Sequence, residues 1–107
     1  MGSTSARAVR VRSTPDQAVE ELRDVLTGSR GSPNRRRILR ALAERPRNAN
    51  RLADALDLDY KTVRHHLSVL EEADAVTCSN DGYGAVYVPT ARTRRHWTLV
   101  EGVDGAD

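Results

Sequence analysis

The chain has 107 residues, 38% hydrophobic and 30% charged, enough for one modest core and one domain. No apolar run approaches the roughly 18 residues of a membrane span, and no signal-peptide pattern opens the chain. The single cysteine, Cys78, excludes an internal disulfide and a cysteine-rich zinc cage and suits a reducing cytoplasm. The net charge of +2 conceals an uneven spread. Residues 15–29 set Asp16, Glu20, Glu21 and Asp24 against Arg23, whereas residues 30–64 hold ten basic side chains against Glu44, Asp54, Asp57 and Asp59. A basic middle beside an acidic segment suits one face for a polyanion. The plain alternative is that arginine is only a solvated surface residue. Four aromatic residues (Trp97, Tyr60, Tyr83 and Tyr87) are too few for a single-strand stacking platform.

Residues 1–13 show no helical period and read as a disordered basic tail carrying Arg7, Arg10 and Arg12. The alternation Val9, Arg10, Val11, Arg12 fits a short edge strand or a tail equally. A first helix follows. Thr14 caps it, Pro15 takes the first turn and Gln17 completes a capping box. Ala18, Val19, Leu22, Val25 and Leu26 form one apolar stripe, and Gly28 terminates it.

After a flexible link over residues 28–32, Ser32 and Pro33 repeat the cap-then-proline start. The second helix runs to about Glu44, where Pro46 stops it. Ile38, Leu39, Leu42 and Ala43 are expected inward, with Arg35, Arg36 and Arg40 outward. A short third helix follows Asn48 over residues 49–56, with Leu52, Ala53 and Leu56 inward. Asp57, Leu58 and Asp59 break the period. Asp59 then caps a fourth helix over residues 60–73, seated on Val63, Leu67 and Leu70. Two short helices joined by a three-residue turn outline a helix-turn-helix.

Residues 76–79 and 85–88 read as strands around the turn signal Asn80, Asp81, Gly82. Thr90 is expected to cap one last helix reaching Val100, and residues 102–107 read as a disordered tail. The expected architecture is mainly α with a small β-hairpin, a single domain over residues 14–101.

The run from Asn50 to Val76, with its Leu52, Leu56, Leu58, Val63, Leu67, Leu70 frame, resembles the winged helix-turn-helix of ArsR-like transcription regulators. It is most similar to small archaeal, haloarchaeal members, and the resemblance covers residues 33–89. It implies a winged helix-turn-helix with an extra N-terminal and C-terminal helix, and a cytoplasmic homodimer on double-stranded DNA. Such a dimer would occupy a pseudo-palindromic site and exclude or recruit transcription machinery, without a cofactor. The family often has glycine where Asp57 stands, a position tending toward positive φ that aspartate tolerates.

On the fourth helix Tyr60, Lys61, Thr62, Arg64, His65 and Ser68 lie away from the apolar seat and become the DNA-binding candidates. Arg64 is the first choice for a base contact, because arginine can engage guanine O6 and N7 together. Arg35, Arg36, Arg47 and Arg51, with Asn80 and Tyr83 of the wing, are the phosphate-contact candidates. Arg7, Arg10 and Arg12 are candidates for a minor-groove arm. The wing lacks arginine and lysine, a departure from the family, and Asp81 would repel phosphate.

Val19, Leu22, Leu26, Trp97 and Val100 are the dimer-seam candidates. The alternative is that they close the core of their own chain. His65 and His66 point about 100° apart on a helix and cannot chelate one ion together. His66 is expected packed or hydrogen-bonded. The cysteine and His/Asp sites of metal-sensing relatives have no counterparts here, so no metal is expected. Cys78 has no basic neighbour in sequence and is expected to be buried.

A winged helix that binds another protein is the competing function, and the uncharged wing favours it. An enzyme finds no support: the sequence offers no phosphate loop, no nucleophile beside a matched base and no paired carboxylates in a cleft.

Overall fold

Leucines at three- and four-residue spacing decide which helix faces meet. The computed structural model describes residues 15–80 and 85–105. Within them lie α1 (Pro15–Thr27), α2 (Ser32–Glu44), α3 (Ala49–Leu56), α4 (Tyr60–Glu72), β1 (Val76–Asn80), β2 (Ala85–Pro89), α5 (Ala91–Arg95) and α6 (Thr98–Gly105). Leu22 and Leu26 of α1, Ile38 and Leu39 of α2, Leu52 of α3, and Val63 and Leu70 of α4 are wholly buried in one cluster. Each such side chain contributes about 1.5–3 kcal/mol of hydrophobic stabilisation. α1 packs on α2, α3 on α4, and α6 on both α1 and α2.

β1 and β2 pair antiparallel, from Val76 opposite Pro89 to Asn80 opposite Ala85. On its other side β2 takes a second partner, because the Tyr87 N–H donates to the Arg47 carbonyl at 2.9 Å. The segment after Pro46 is thereby sewn to the hairpin.

Three local expectations are corrected. Ser32 is the first residue of α2 rather than its cap. Gly31 holds the cap position without a side-chain bond, and the Ser32 hydroxyl donates to the Val25 carbonyl at 3.0 Å. The last helix is two helices. Thr90 caps α5 as expected, and the Thr93 hydroxyl donates to the Ala75 carbonyl at 2.8 Å, which pins α5 to the start of the hairpin. Val100 meanwhile is fully buried, and the break at His96 and Trp97 lets both anchors be met.

The third correction concerns the dimer seam. Leu22, Leu26 and Val100 belong to the core of their own chain, leaving only Val19 and Trp97 of that group partly exposed. The apolar stripe of α1 is spent on α2 and α6. Thr14, the Asp81–Gly82 turn, Tyr83 and the tail with Arg7, Arg10 and Arg12 lie outside the described residues.

Candidate nucleic-acid interface

Two capped helices and the turn between them set the geometry of the candidate surface. The Asn48 side chain accepts from the Arg51 N–H at 2.8 Å and starts α3. α3 ends at Asp57, which takes the left-handed conformation at φ 56° and ψ 48°. The Leu58 N–H then reaches back to the Ala53 carbonyl at 3.0 Å. Such a reversal favours glycine, and aspartate is among the side chains that tolerate it. Half-buried Leu58 fills the turn. The Asp59 carboxylate then accepts from the Lys61 N–H at 3.0 Å and the Thr62 N–H at 3.4 Å, opening α4.

The seat of α4 is Val63, His66, Leu67 and Leu70, all buried. At 100° per residue the opposite side must carry positions 60, 61, 64, 65 and 68. Tyr60, a large hydrophobic residue, is 46% exposed, and Lys61, Arg64, His65 and Ser68 are exposed beside it. Thr62 is half-buried at the edge of this face. The six residues named from the sequence therefore lie on or at the edge of one face of one helix.

The arginines divide. Arg47 and Arg51 line an open groove of about 490 Å³ between the start of α3 and β2, together with Asn48, Asp54 and Val86. Arg47 also pairs with Glu44 at 3.2 Å on the surface, a bond of little energetic weight. Arg45 joins the same groove and was missed in the sequence. The signal was Pro46, which forces the preceding residue out of α2 into extended backbone at φ −166°. Asn80 closes the β1 register opposite Ala85.

Arg35 and Arg36, expected outward as phosphate contacts, are instead each only 5% exposed. Arg35 Nε donates to the Val25 carbonyl at 2.8 Å, and Arg36 Nη1 donates to the Leu26 carbonyl. Both guanidinium groups thus sit on the last turn of α1, where carbonyls lack helical partners and the dipole is negative. Their charge is used inside the fold.

His66 is buried and hydrogen-bonded, as expected, with its Nδ1 3.2 Å from Arg35 Nη1. Burial, reinforced by the charges of Arg35 and His65, holds its pKa below the ordinary histidine value. Cys78, expected buried, is an exposed free thiol on β1. Cys78 shares a strand face with Val76, but burial along β1 ends at Val76 and residues 77–79 are all exposed. Among the described residues no group of three His, Cys, Asp or Glu side chains is placed to hold a metal ion.

Residues 31–79 match a family described as a helix-turn-helix domain. The chain is also similar in structure to a homodimeric winged helix-turn-helix DNA-binding domain from Mycobacterium bovis, solved in solution and described as a possible ArsR-family transcriptional regulator. The two align with a TM-score of 0.67 and 24% identity over 82% of this chain and 79% of the other. The fold is a winged helix-turn-helix. No curated protein matches the sequence.

Within the winged helix-turn-helix, α3 and α4 are the two helices of the motif and the β1–β2 hairpin is the wing. α1, α5 and α6 are additions around it. Among the described residues no helix is long and apolar enough to cross a membrane.

Proposed function

We propose that the chain is a sequence-specific regulator of transcription that binds double-stranded DNA with α4 in the major groove. The observation that carries this reading is the exposed set Tyr60, Lys61, Arg64, His65 and Ser68, fixed opposite a fully buried seat. In this reading Arg64 contacts a guanine edge. Lys61, Thr62 and His65 reach bases or phosphate, and Tyr60 and Ser68 reach phosphate or sugar. Arg45, Arg47 and Arg51 line the flank and neutralise the backbone.

The likeness to a homodimeric domain supports a dimer. Two recognition helices would then address half-sites about 34 Å apart on a pseudo-palindrome. Val19 and Trp97 are the seam candidates still partly exposed. Such a dimer acts in the cytoplasm by occupying its site and excluding or recruiting transcription machinery.

The test is a titration of labelled duplex from the chain's own upstream region, and of a scrambled duplex, across a salt series. Tighter binding to the native duplex, with affinity falling as salt rises, is expected. Failure to bind either duplex at low salt would contradict the proposal and turn the search to protein partners.

A further inference from the structure

Arg35 joins three parts of the fold. From α2 its Nε donates to the Val25 carbonyl of α1, its Nη2 donates to the Ser29 hydroxyl of the α1–α2 link, and its Nη1 lies 3.2 Å from His66 Nδ1 on α4. The link closes tightly over the pair: a Cβ at Gly31 would stand 2.7 Å from His66 Cε1 and 2.8 Å from Arg35 Nη1. A guanidinium only donates, so this bond requires His66 Nδ1 to be an unprotonated acceptor, with the ring neutral and its proton on Nε2. His66 as a residue is 6% exposed, so water is a poor substitute partner.

We propose that His66 is a pH-responsive positioning residue for α4: proton uptake releases the helix from the α1–α2 corner and weakens the surface that meets DNA. This rests on the assignment of α4 to DNA. Protonation removes the acceptor that Arg35 meets on α4 and sets a second cation against it. The titratable groups that act on the ring are Arg35 from α2 and His65 from α4 itself, whose ring centroid is 5.7 Å away. From α1, Asp24 acts on the Arg35 guanidinium and favours its charged form. The folded state prefers neutral His66. The contact is therefore complete above the ordinary histidine pKa of about 6.5 and is lost as pH falls through the lower folded value.

Imidazole ¹⁵N spectra of the free protein test the contact itself. The expected result is a neutral Nε2–H tautomer at about pH 7.5 and titration of His66 below about 6.5. Amide shifts at Val25, Ser29 and Gly31 should accompany that titration. A neutral Nδ1–H tautomer, or titration of His66 above the ordinary value, would overturn the contact.

Duplex affinity tests the consequence. It is compared in H65Q, which removes the exposed neighbouring ring, and in H65Q/H66Q, where glutamine can still accept from Arg35 but cannot titrate. Between about pH 7.5 and pH 5.5, H65Q should lose several-fold in affinity, less than about tenfold because His66 titrates below about 6.5, and the double variant less than about twofold. Equal losses in the two proteins would overturn the switch. Absence of duplex binding at either pH would overturn the assignment of α4 and with it the effect on affinity, whereas the tautomer alone decides the contact.

Discussion

The arginines of α2 and the basic residues around α3 and α4 are the same chemistry put to opposite uses. Four arginines of α2 each hold a backbone carbonyl of another helix: Arg35 the Val25 carbonyl, Arg36 that of Leu26, Arg37 that of Leu56, and Arg40 that of Val100. α2 is therefore a hub that satisfies the ends of α1 and α3 and fastens α6. Lys61 and Arg64, by contrast, are exposed residues on the open side of α4. Charge counted along a sequence is not charge available to a ligand. The difference lies in whether an unsatisfied carbonyl comes within reach when the helices pack.

That contrast can be broken at either end. Arg36→Ala should destabilise the fold by about 2–4 kcal/mol, because it strips a charge-assisted bond from a buried carbonyl. Denaturant unfolding measures this, and a change under about 0.5 kcal/mol would place Arg36 among ordinary surface residues. Arg64→Ala should leave unfolding within about 0.5 kcal/mol of the parent. Its cost should appear in duplex binding, at about 1–3 kcal/mol.

Arg45→Ala and Arg51→Ala sharpen the comparison further. Each should reduce the log–log salt slope by about 0.9 while weakening native and scrambled duplexes alike. A loss confined to the native duplex would instead make that arginine a reader of bases. The smallest effect is expected at Asp57, whose φ of 56° strains any side chain. Asp57→Gly should stabilise the protein by about 0.5 kcal/mol, the relief of strain less the added freedom of the unfolded chain. Thermal unfolding reads this, and destabilisation would mean that the side chain supplies something the turn needs.

Much of this architecture was legible because its signals are local. Asn48 and Asp59 announce the starts of α3 and α4 within three residues, and Pro46 ends α2. The Val63, Leu67, Leu70 spacing decides which side of α4 is left open. What was missed depends on distant partners. The bonds of Arg35 and Arg36 to α1 span ten residues, and only the packed helix pair brings them together. Ser32 looks like a cap in sequence, yet its hydroxyl finds the Val25 carbonyl seven residues back. The apolar stripes of α1 and of residues 97–100 fit a dimer seam equally well until the fold sets Leu22, Leu26 and Val100 into one core. Arg45 carries no local signal of its place in the groove, because that place depends on the extended backbone at the end of α2 and on how α3 and β2 pack beside it.

In the proposed mode of binding the open side of α4 reads base edges. That mode is tested most directly by the affinities of the parent protein and Arg64→Ala for the upstream duplex and for its scrambled counterpart, measured at one salt concentration. The substitution is expected to abolish most of the preference for the native duplex while leaving the weaker scrambled complex nearly unchanged. An undiminished preference in Arg64→Ala would contradict it.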